Sequence, residues 1–545
     1  MGKYTEKTGR RNGRKWLTVL LSLIAAVLAA AVGFGIWIVL NYHMVDTTFY
    51  PKDTQTLDLR GQTVKPSHID KLVRKMPECD IYWDIPFQKG TLSSHAKTVT
   101  LTTLSAGDIG LLDYAGQLQT VEAEGCTDYE NLALLRQTRP DLTVNYSLAF
   151  SCGNYAWDVE TLMLNGVSRE DISLLKYLPN LKTVVLDSGS YDTQTVKELQ
   201  TAVHDAGLEF GVLISGKVHP DTEHELQISD ITDGEVDLLP FVSGLKTVSL
   251  QNPKADPEKV FALSGRLPGV DVAWEVVLCD QVYDPSVTEV DLTEVEVTDL
   301  AEVEQKLAYL PDLQQVTFGV CGVGEPEKWG NSRSKLTASP IENEALSAYR
   351  DRVREDYKVV WTVRLGPSIA LRTDTDNFMP NHFGVGQLPD SYAYNLRYCE
   401  EMVCLDVGHM TLTDISFVEF MPNLKYLILA WTEVQYIEPI RNCKNLVFLE
   451  LDNSCIRDLS PLIDCTALED LNLGNTFCDV TPILGMTWLK NAYFIDGSLA
   501  SAYKFSQAVP TARVVTTGNA TVGGGWRRLP NYYAMRDCLH APYMN

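Results

Sequence analysis

One pattern of apolar positions repeats between residues 396 and 496. Each unit has apolar residues at its first, fourth and sixth positions, and the unit recurs every 22 residues from Met402 to Leu473. A last unit comes one residue early, at Leu489, Ala492 and Phe494. One such unit cannot bury its apolar face alone, but stacked units form a continuous core. The pattern therefore predicts a solenoid of short parallel strands with these inward positions: Met402, Leu405, Val407, Leu424, Leu427, Leu429, Leu446, Leu449, Leu451, Leu468, Leu471 and Leu473.

These units resemble leucine-rich repeats, most closely those of the bacterial internalin-like class. The segments after the strands, such as Asp458–Leu462 and Asp479–Ile483, fit that class. The family usually has an asparagine three residues after the last strand leucine, where this chain has Thr432, Ser454 and Thr476. A hydroxyl can replace part of the hydrogen bonding of the amide. The resemblance implies an α/β fold with parallel strands on a concave face, helices and turns on the convex face, and a binding role.

A less regular array is predicted for residues 41–321. Leu57, Val121, Val184 and Val248 are 64, 63 and 64 residues apart, which indicates a larger repeat of three solenoid turns. Some steps between strands are only about 18 residues, too short for a helix, and these turns are either solenoid turns or hairpins. The predicted strands centre on Leu57, Ile81, Val99, Val121, Val144, Leu162, Val184, Phe210, Leu226, Val248, Val272, Val290 and Val316.

Helical spacing and large aromatic residues add detail to this array. Apolar and polar residues alternate around Trp83, Tyr146, Trp274 and Trp361, as in half-buried strands. These aromatic residues are either core or a binding stripe, and we favour the core. The segments with helical spacing, expected on the convex side, are Ser67–Cys79, Asp128–Arg139, Gln194–Gly207 and Pro257–Leu267.

Residues 322–395 interrupt the repeats. Gly322–Glu355 begins polar and Gly-rich and then becomes a charged helix, and Gly366–Tyr394 is loop-like. Long loops within a repeat array are often functional. A tolerated surface insertion, or a junction between the divergent and the regular repeats, is an equal alternative.

Residues 497–545 are expected to form a C-terminal cap, because a solenoid needs cover over its last turn. A ligand-binding tail is the alternative. The aromatic and apolar residues available for the cap are Trp526, Tyr532, Tyr533 and Met535.

The N-terminal segment predicts the topology. Trp16–Leu40 contains no charged residue, and 25 residues of helix span roughly 37 Å, enough to cross a bilayer. The first 15 residues carry six basic side chains and one acidic side chain. The positive-inside tendency places this tail (1–15) in the cytoplasm and the bulk of the chain outside. We expect an uncleaved single-pass anchor over residues 16–40; a cleaved secretory signal is the alternative.

The acidic composition of the chain after residue 40 limits the kind of ligand that it can bind. Subtracting the six basic residues and one acidic residue of the first 40 positions from totals of 46 and 71 leaves 40 basic and 70 acidic residues. A nucleic-acid-binding protein needs a basic face, which this composition does not supply. We therefore expect a protein or glycan ligand and no nucleic acid; the oligomeric state stays unknown.

The sequence contains no recognisable catalytic motif. G-x-S-x-G, H-E-x-x-H and P-loop patterns are absent, and the twelve cysteines form no C-x-x-C pair. No cofactor or metal is expected. Cys443 and Cys465 occupy equivalent positions one turn apart and are interpreted as core, with a disulfide between them left open.

The candidate binding residues lie between the inward positions of the regular repeats. One column is Cys404, Tyr426, Phe448, Asp470 and Asn491, and the next is Asp406, Ile428, Glu450, Asn472 and Tyr493. Aromatic residues rimmed by carboxylates and amides on adjacent strands are typical of an interface. The predicted ligand-binding residues, expected on one open concave face, are Tyr426, Ile428, Trp431, Phe448, Glu450, Asp452, Asp470, Asn472 and Tyr493.

The sequence thus predicts a non-enzymatic cell-surface scaffold that binds through its concave face. The alternative is a cell-envelope enzyme or its regulatory subunit, with a site in residues 322–394. A cluster of histidine and carboxylate side chains in a deep pocket there would favour the enzyme.

Overall fold

The structure is a computed structural model that describes residues 13–322, 338–366, 369–380, 387–518 and 525–541, with side chains from residue 16 onward. Its internal contacts divide the chain into two units whose ranges interleave. The first comprises residues 1–226, 232–247 and 264–270, and the second comprises residues 227–231, 248–263 and 271–545. The division of the sequence into six segments stays a prediction.

A single helix, Gly13–Asn41, begins the described chain. Its residues Trp16–Asn41 are long and apolar enough to cross a membrane, and none of the most apolar stretch is buried against other parts of the protein. A short hairpin of Tyr42–Val45 and Thr48–Pro51 follows. An apolar helix near an N-terminus fits either a membrane anchor or a signal sequence.

The first unit is built of parallel strands that alternate with helices. Val121 and Val144 lie on neighbouring strands in parallel register, and both are buried. The strands are Thr56–Asp58, Asp80–Tyr82, Asp84–Phe87, Gly90–Ser93, Thr98–Thr100, Thr120–Glu122, Thr143–Asn145, Ser147–Phe150, Gly153–Ala156, Thr161–Leu164, Thr183–Leu186, Glu209–Ile214 and Lys217–Pro220. The helices are Pro66–Lys75, Ala106–Leu112, Tyr129–Thr138, Arg169–Leu174, Thr193–Asp205 and Asp233–Val236, with 3₁₀ turns at Leu175–Tyr177 and Leu239–Phe241.

The short steps in the array are hairpins. Asp84–Phe87 pairs antiparallel with Gly90–Ser93, and Ser147–Phe150 pairs in the same way with Gly153–Ala156. In the second unit, Asp271–Leu278 pairs antiparallel with Gln281–Tyr283. An antiparallel return needs only a tight turn, so it fits where a helix cannot. All thirteen predicted strand centres fall within observed strands.

The early part of the second unit has the same plan. Glu289–Leu292, Gln315–Cys321 and Lys358–Arg364 run parallel, and Ala370–Arg372 returns antiparallel. Trp361 is fully buried there, while Trp83 and Tyr146 are buried in the first unit, so the core interpretation holds for these three. The other elements before residue 377 are the strands Glu225–Ser229, Thr247–Gln251 and Ala338–Ser339 and the helices Pro257–Phe261, Leu263–Arg266, Leu300–Leu307 and Asn343–Val353.

Seven parallel strands form the C-terminal sheet, which positions the candidate site. The strands are Asn377–Phe378, Cys404–Asp406, Tyr426–Ile428, Phe448–Glu450, Asp470–Asn472, Asn491–Tyr493 and Arg513–Val515. The return segments contain the helices Asp390–Ala393 and Leu499–Ala508 and the 3₁₀ turns Tyr394–Tyr398, Ser416–Phe420, Glu438–Asn442, Ser460–Asp464 and Thr481–Ile483. The remaining elements are the 3₁₀ turn Trp526–Arg528 and the helix Pro530–Cys538.

The register of the C-terminal sheet confirms the repeat. Leu427, Leu449 and Leu471 are direct partners on successive strands, and none of their surface is exposed. The hydroxyls at the family's asparagine position satisfy backbone carbonyls. Thr432 Oγ1 donates to the Leu429 carbonyl at 2.7 Å, and Ser454 Oγ donates to Leu451 at 2.7 Å.

Candidate binding face

The two predicted columns exist on the face of the C-terminal sheet opposite the leucine core. Tyr426, Phe448 and Asp470 are direct partners on successive strands. Ile428, Glu450 and Asn472 form the parallel column one pleat away. Strand alternation puts these side chains on one face, as the sequence predicts. We call this surface the concave face.

The concave face is not open. Residues 525–541, which we call the C-terminal segment, cover it. Trp526 stacks on Phe448 with ring centroids 4.4 Å apart and meets Tyr493 edge-on at 5.1 Å. The Trp526 indole nitrogen donates a hydrogen bond of 2.8 Å to Glu450 Oε2. Trp526, Phe448 and Tyr493 are all completely buried, so this contact has the character of a core.

The rest of the C-terminal segment continues toward the first strands of the sheet. Asn531 Nδ2 donates to Asp470 Oδ2 at 3.0 Å. One turn further along the helix Pro530–Cys538, the carbonyl of Met535 lies 3.9 Å from the sulfur of Cys404. Apolar side chains from both partners complete one cluster: Met379, Cys404, Ile428, Phe448, Tyr493, Trp526, Leu529, Tyr532, Met535 and Leu539.

The expectation of an open site is therefore wrong for most of the predicted residues. Tyr426 is half-buried, and only Trp431 is exposed, by 55%. The buried ones are Ile428, Phe448, Glu450, Asp452, Asp470, Asn472 and Tyr493. The pattern identified the face correctly, but the leucine spacing does not reveal that a distant segment of the same chain covers it.

The position of the cap also differs from the prediction. Trp526, Tyr532 and Met535 are buried on the concave face, whereas they were expected over the last turn. Tyr533 is 42% exposed. The last strand, Arg513–Val515, pairs with Asn491–Tyr493, and the helix Leu499–Ala508 forms its return segment. The alternative of a ligand-binding tail stays a prediction.

Burial gives the concave face unusual electrostatics. It raises the pKa of Glu450 to about 8, and the hydrogen bond from Trp526 only partly offsets this. Burial likewise raises the pKa of Asp406, Asp452 and Asp470. A carboxyl removed from water resists ionisation, so covering this face favours proton uptake.

One edge of the concave face stays accessible. We define the strand-end ridge as five residues at equivalent positions in successive turns: His409, Trp431, Asn453, Asn475 and Asp496. Each has positive φ, from 44° to 65°. This conformation is uncommon outside glycine, and asparagine, aspartate and histidine tolerate it better than other residues.

Hydrogen bonds between turns hold this conformation. The Trp431 amide donates to the Asp452 carbonyl at 2.9 Å, and the Asn453 amide donates to Gly474 at 2.8 Å. The His409 ring stacks on Trp431 with centroids 5.8 Å apart. The Trp431 side chain also partly offsets the rise that burial causes in the pKa of Asp452, so the two side chains lie close together. The Trp431 side chain is thus fixed in place although more than half of it is exposed.

The alternative enzyme region contains a charged cleft of 360 Å³. Three of its carboxylates are paired with cations: Glu400 with Arg350 and Arg354, Glu401 with Lys358 at 2.6 Å, and Asp374 with Arg372 at 2.8 Å. No histidine lines this cleft in the described part of the chain. The cluster that would favour the enzyme is therefore not found there. His382 and Phe383, and the Gly-rich stretch after Gly322, lie outside the described residues.

Cys443 and Cys465 lie in the core of the C-terminal sheet. Cys443 and Cys465 are buried free thiols whose sulfurs approach backbone carbonyls, which agrees with the core interpretation. Within the ranges that the structure describes, no group of three or more His, Cys, Asp or Glu side chains is arranged to hold a metal ion.

The strand register and the 22-residue step decide the type of repeat. The C-terminal sheet is a leucine-rich repeat array. No protein-family model matches the sequence, and no curated protein matches it either.

Solved structures of leucine-rich repeat proteins are similar to this chain. An internalin of Listeria monocytogenes is 15% identical, with a TM-score of 0.22 and coverage of 79% of this chain and 90% of that one. A leucine-rich repeat protein of Leptospira interrogans is 14% identical, with a TM-score of 0.23 and coverage of 76% and 93%. The ectodomain of a plant membrane receptor kinase of Arabidopsis thaliana is 12% identical, with a TM-score of 0.21 and coverage of 85% and 53%. These similarities concern the fold and carry no information about a ligand.

Proposed function

We propose that this protein is a non-enzymatic binding scaffold that captures a protein ligand through the strand-end ridge. The observation that carries the proposal is Trp431, a large aromatic side chain that is 55% exposed and yet stacks on His409, while its backbone amide is hydrogen-bonded to Asp452. A pre-oriented aromatic residue loses little conformational entropy when it is buried by a partner. Exposed aromatic residues at a fixed position are typical anchors of protein interfaces.

Neighbouring residues extend this anchor into a surface. Phe477, two residues beyond Asn475, is 74% exposed. Asn453 and Asn475 hydrogen-bond to each other through their side chains, and together they present amide groups between the two aromatic residues. Apolar anchors with polar groups between them fit a protein ligand better than a uniformly polar surface would. A glycan is the other outcome of the test below.

The remaining predicted site residues have a second role in this proposal. Phe448, Glu450, Asp470 and Tyr493 hold the C-terminal segment, and they reach an external ligand only if that segment leaves. The proposed location is outside the membrane, with residues 16–40 as an uncleaved anchor and the N-terminus in the cytoplasm.

Site-specific photo-crosslinking tests the ridge. A benzophenone amino acid is placed at Trp431 in the ectodomain, residues 45–545, which is then incubated with cells that make the protein. Tyr503 is the control position, because it is also an exposed aromatic residue (69%) but lies on the return helix Leu499–Ala508. The proposal expects one crosslinked protein from position 431 and none from 503. Equal crosslinking at both positions, or a product that glycosidase treatment removes, would contradict a protein ligand at the ridge.

A further inference from the structure

Two cysteines meet where the C-terminal segment crosses the concave face. Cys404 lies on the strand Cys404–Asp406, and Cys538 is the last residue of the helix Pro530–Cys538. Cys538 packs against the apolar cluster that contains Cys404, and each thiol shifts the pKa of the other. Met535, one helical turn before Cys538, places its carbonyl 3.9 Å from the same Cys404 sulfur, so the helix and the strand are in direct contact here.

We propose that Cys404 and Cys538 are a disulfide-forming pair that covalently locks the C-terminal segment onto the concave face. Because the helix and the strand are already in contact here, the bond requires only a local movement of the two side chains. The bond would join residues far apart in the sequence, and it would fix the contact between Trp526 and Glu450. This site is independent of the ligand that the strand-end ridge binds.

The chemistry of the two thiols is unequal. Cys538 is partly exposed, and its interaction with the Cys404 thiol lowers the pKa of its own thiol. Cys404 is buried, and burial raises the pKa of its thiol. Because the thiolate is the reacting species, Cys538 is the member that attacks an incoming oxidant.

The oxidant is a small disulfide, and the reaction is thiol–disulfide exchange. The Cys538 thiolate attacks one sulfur of that disulfide, forms a mixed disulfide and releases one small thiolate. The Cys404 sulfur then gives up its proton and attacks Cys538, which releases the second small thiolate. Two protein thiols lose two electrons and two protons, and one disulfide is reduced to two thiols. An oxidising compartment outside the membrane would supply such a disulfide.

Cys443 and Cys465 provide a contrast within the same sheet. They occupy neighbouring turns, but both are fully buried, and burial raises the pKa of both thiols, to about 12 for Cys443 and about 11 for Cys465. Neither offers an accessible thiolate to a soluble disulfide. This pair therefore serves as an internal control for a non-specific effect of oxidation.

Peptide mapping of the full chain in detergent tests the proposal. The protein is equilibrated with reduced and oxidised glutathione, alkylated, and cut with trypsin and a glutamate-specific protease. Cys404 is then the only cysteine in peptide 402–419, and Cys538 is the only one in peptide 537–545. We expect these two peptides to be joined and to separate on reduction, while Cys443 and Cys465 stay reduced. A folded protein in which Cys538 ends as a free thiol or as a glutathione adduct overturns the proposal.

Hydrogen exchange measures the effect of the bond on the C-terminal segment. Oxidation should slow exchange of the amides in the helix Pro530–Cys538 by roughly 30-fold or more, because the bond removes open conformations. Reduction should restore the faster rate in the same sample. Cys538→Ser should show no change with oxidant, and it avoids disturbing the buried Cys404. If the oxidised and reduced wild-type proteins exchange equally, the bond does not lock the segment.

Discussion

Trp526→Ala should release the C-terminal segment from the concave face. Trp526 has no exposed surface; it stacks on Phe448, touches Tyr493 and donates to Glu450. Its removal takes away a fully buried aromatic contact of the segment and leaves Glu450 buried without its indole partner.

The magnitude follows from truncation of a buried aromatic side chain. Truncating a buried Phe or Trp to Ala typically lowers stability by about 3–5 kcal/mol. Leaving a buried polar group without its hydrogen-bond partner costs about 1–3 kcal/mol. Because RT is about 0.6 kcal/mol, a loss of about 3–5 kcal/mol of docking free energy raises the ratio of open to docked protein roughly 150- to 5,000-fold. If docking itself is worth less than this, the segment will be undocked most of the time.

Alkylation of Cys404 reports the opening. Its thiol is completely buried beneath Met535 in the structure, so a reagent reaches it only when the segment leaves. Under reducing conditions, mass spectrometry of peptide 402–419 gives the alkylation rate for wild type and variant. We expect the rate to rise at least 100-fold in Trp526→Ala, with the rate at the buried Cys443 unchanged.

Tyr503→Ala is the matched control, because Tyr503 is an aromatic residue of the same unit that is 69% exposed. It should leave the Cys404 rate within about twofold of wild type, as surface changes usually alter stability by less than about 0.5 kcal/mol. A folded Trp526→Ala protein with the wild-type Cys404 rate would refute the packing described for the C-terminal segment. A parallel rise at Cys443 would instead indicate general unfolding.

Three further predictions concern the pH dependence of docking, the leucine core and the membrane anchor. Glu450 has a pKa of about 8 when covered and 4.5 in water, so the docked state binds a proton that the open state releases. Docking should therefore weaken as the pH rises from about 5 to 8, and Glu450→Gln should reduce that dependence in the Cys404 assay; an equal pH dependence in both proteins would contradict it. Leu449→Ala should destabilise the ectodomain by about 2–5 kcal/mol in urea unfolding, whereas the exposed Glu433→Ala should change it by less than about 0.5; equal losses would refute the strand register. External protease on intact cells should digest the region after residue 45; a protected C-terminus, or a mature chain beginning after residue 30, would contradict the uncleaved anchor.

The sequence was most informative where one periodicity recurs. The inward leucines, the register between Leu427, Leu449 and Leu471, and the two outward columns follow directly from a constant 22-residue step. The short steps were ambiguous, because an 18-residue spacing is compatible with a tight solenoid turn or a hairpin. The structure resolves that ambiguity, because Gly90–Ser93 pairs antiparallel with the strand before it and so forms a hairpin.

The covering of the concave face could not be predicted from periodicity. Trp526 and Glu450 are 76 residues apart, and no repeat relates them. A partial signal was present in the cluster Trp526, Tyr532 and Met535, which is too apolar for a free tail. Solenoids require a cap, and that general rule led to the wrong location for it. The left-handed Trp431 was also unpredictable, since a bulky residue is disfavoured at positive φ.

The most direct test of the account supplies the C-terminal segment as a separate peptide. A peptide of residues 525–541 is titrated into a reduced ectodomain that ends at residue 518, after circular dichroism has shown that this ectodomain is folded. We predict saturable one-to-one binding that protects Cys404 from alkylation, and much weaker binding by the same peptide with Trp526→Ala. A folded ectodomain that ignores the wild-type peptide, or that binds both peptides equally without protecting Cys404, would contradict the claim that the concave face is the binding site of this segment.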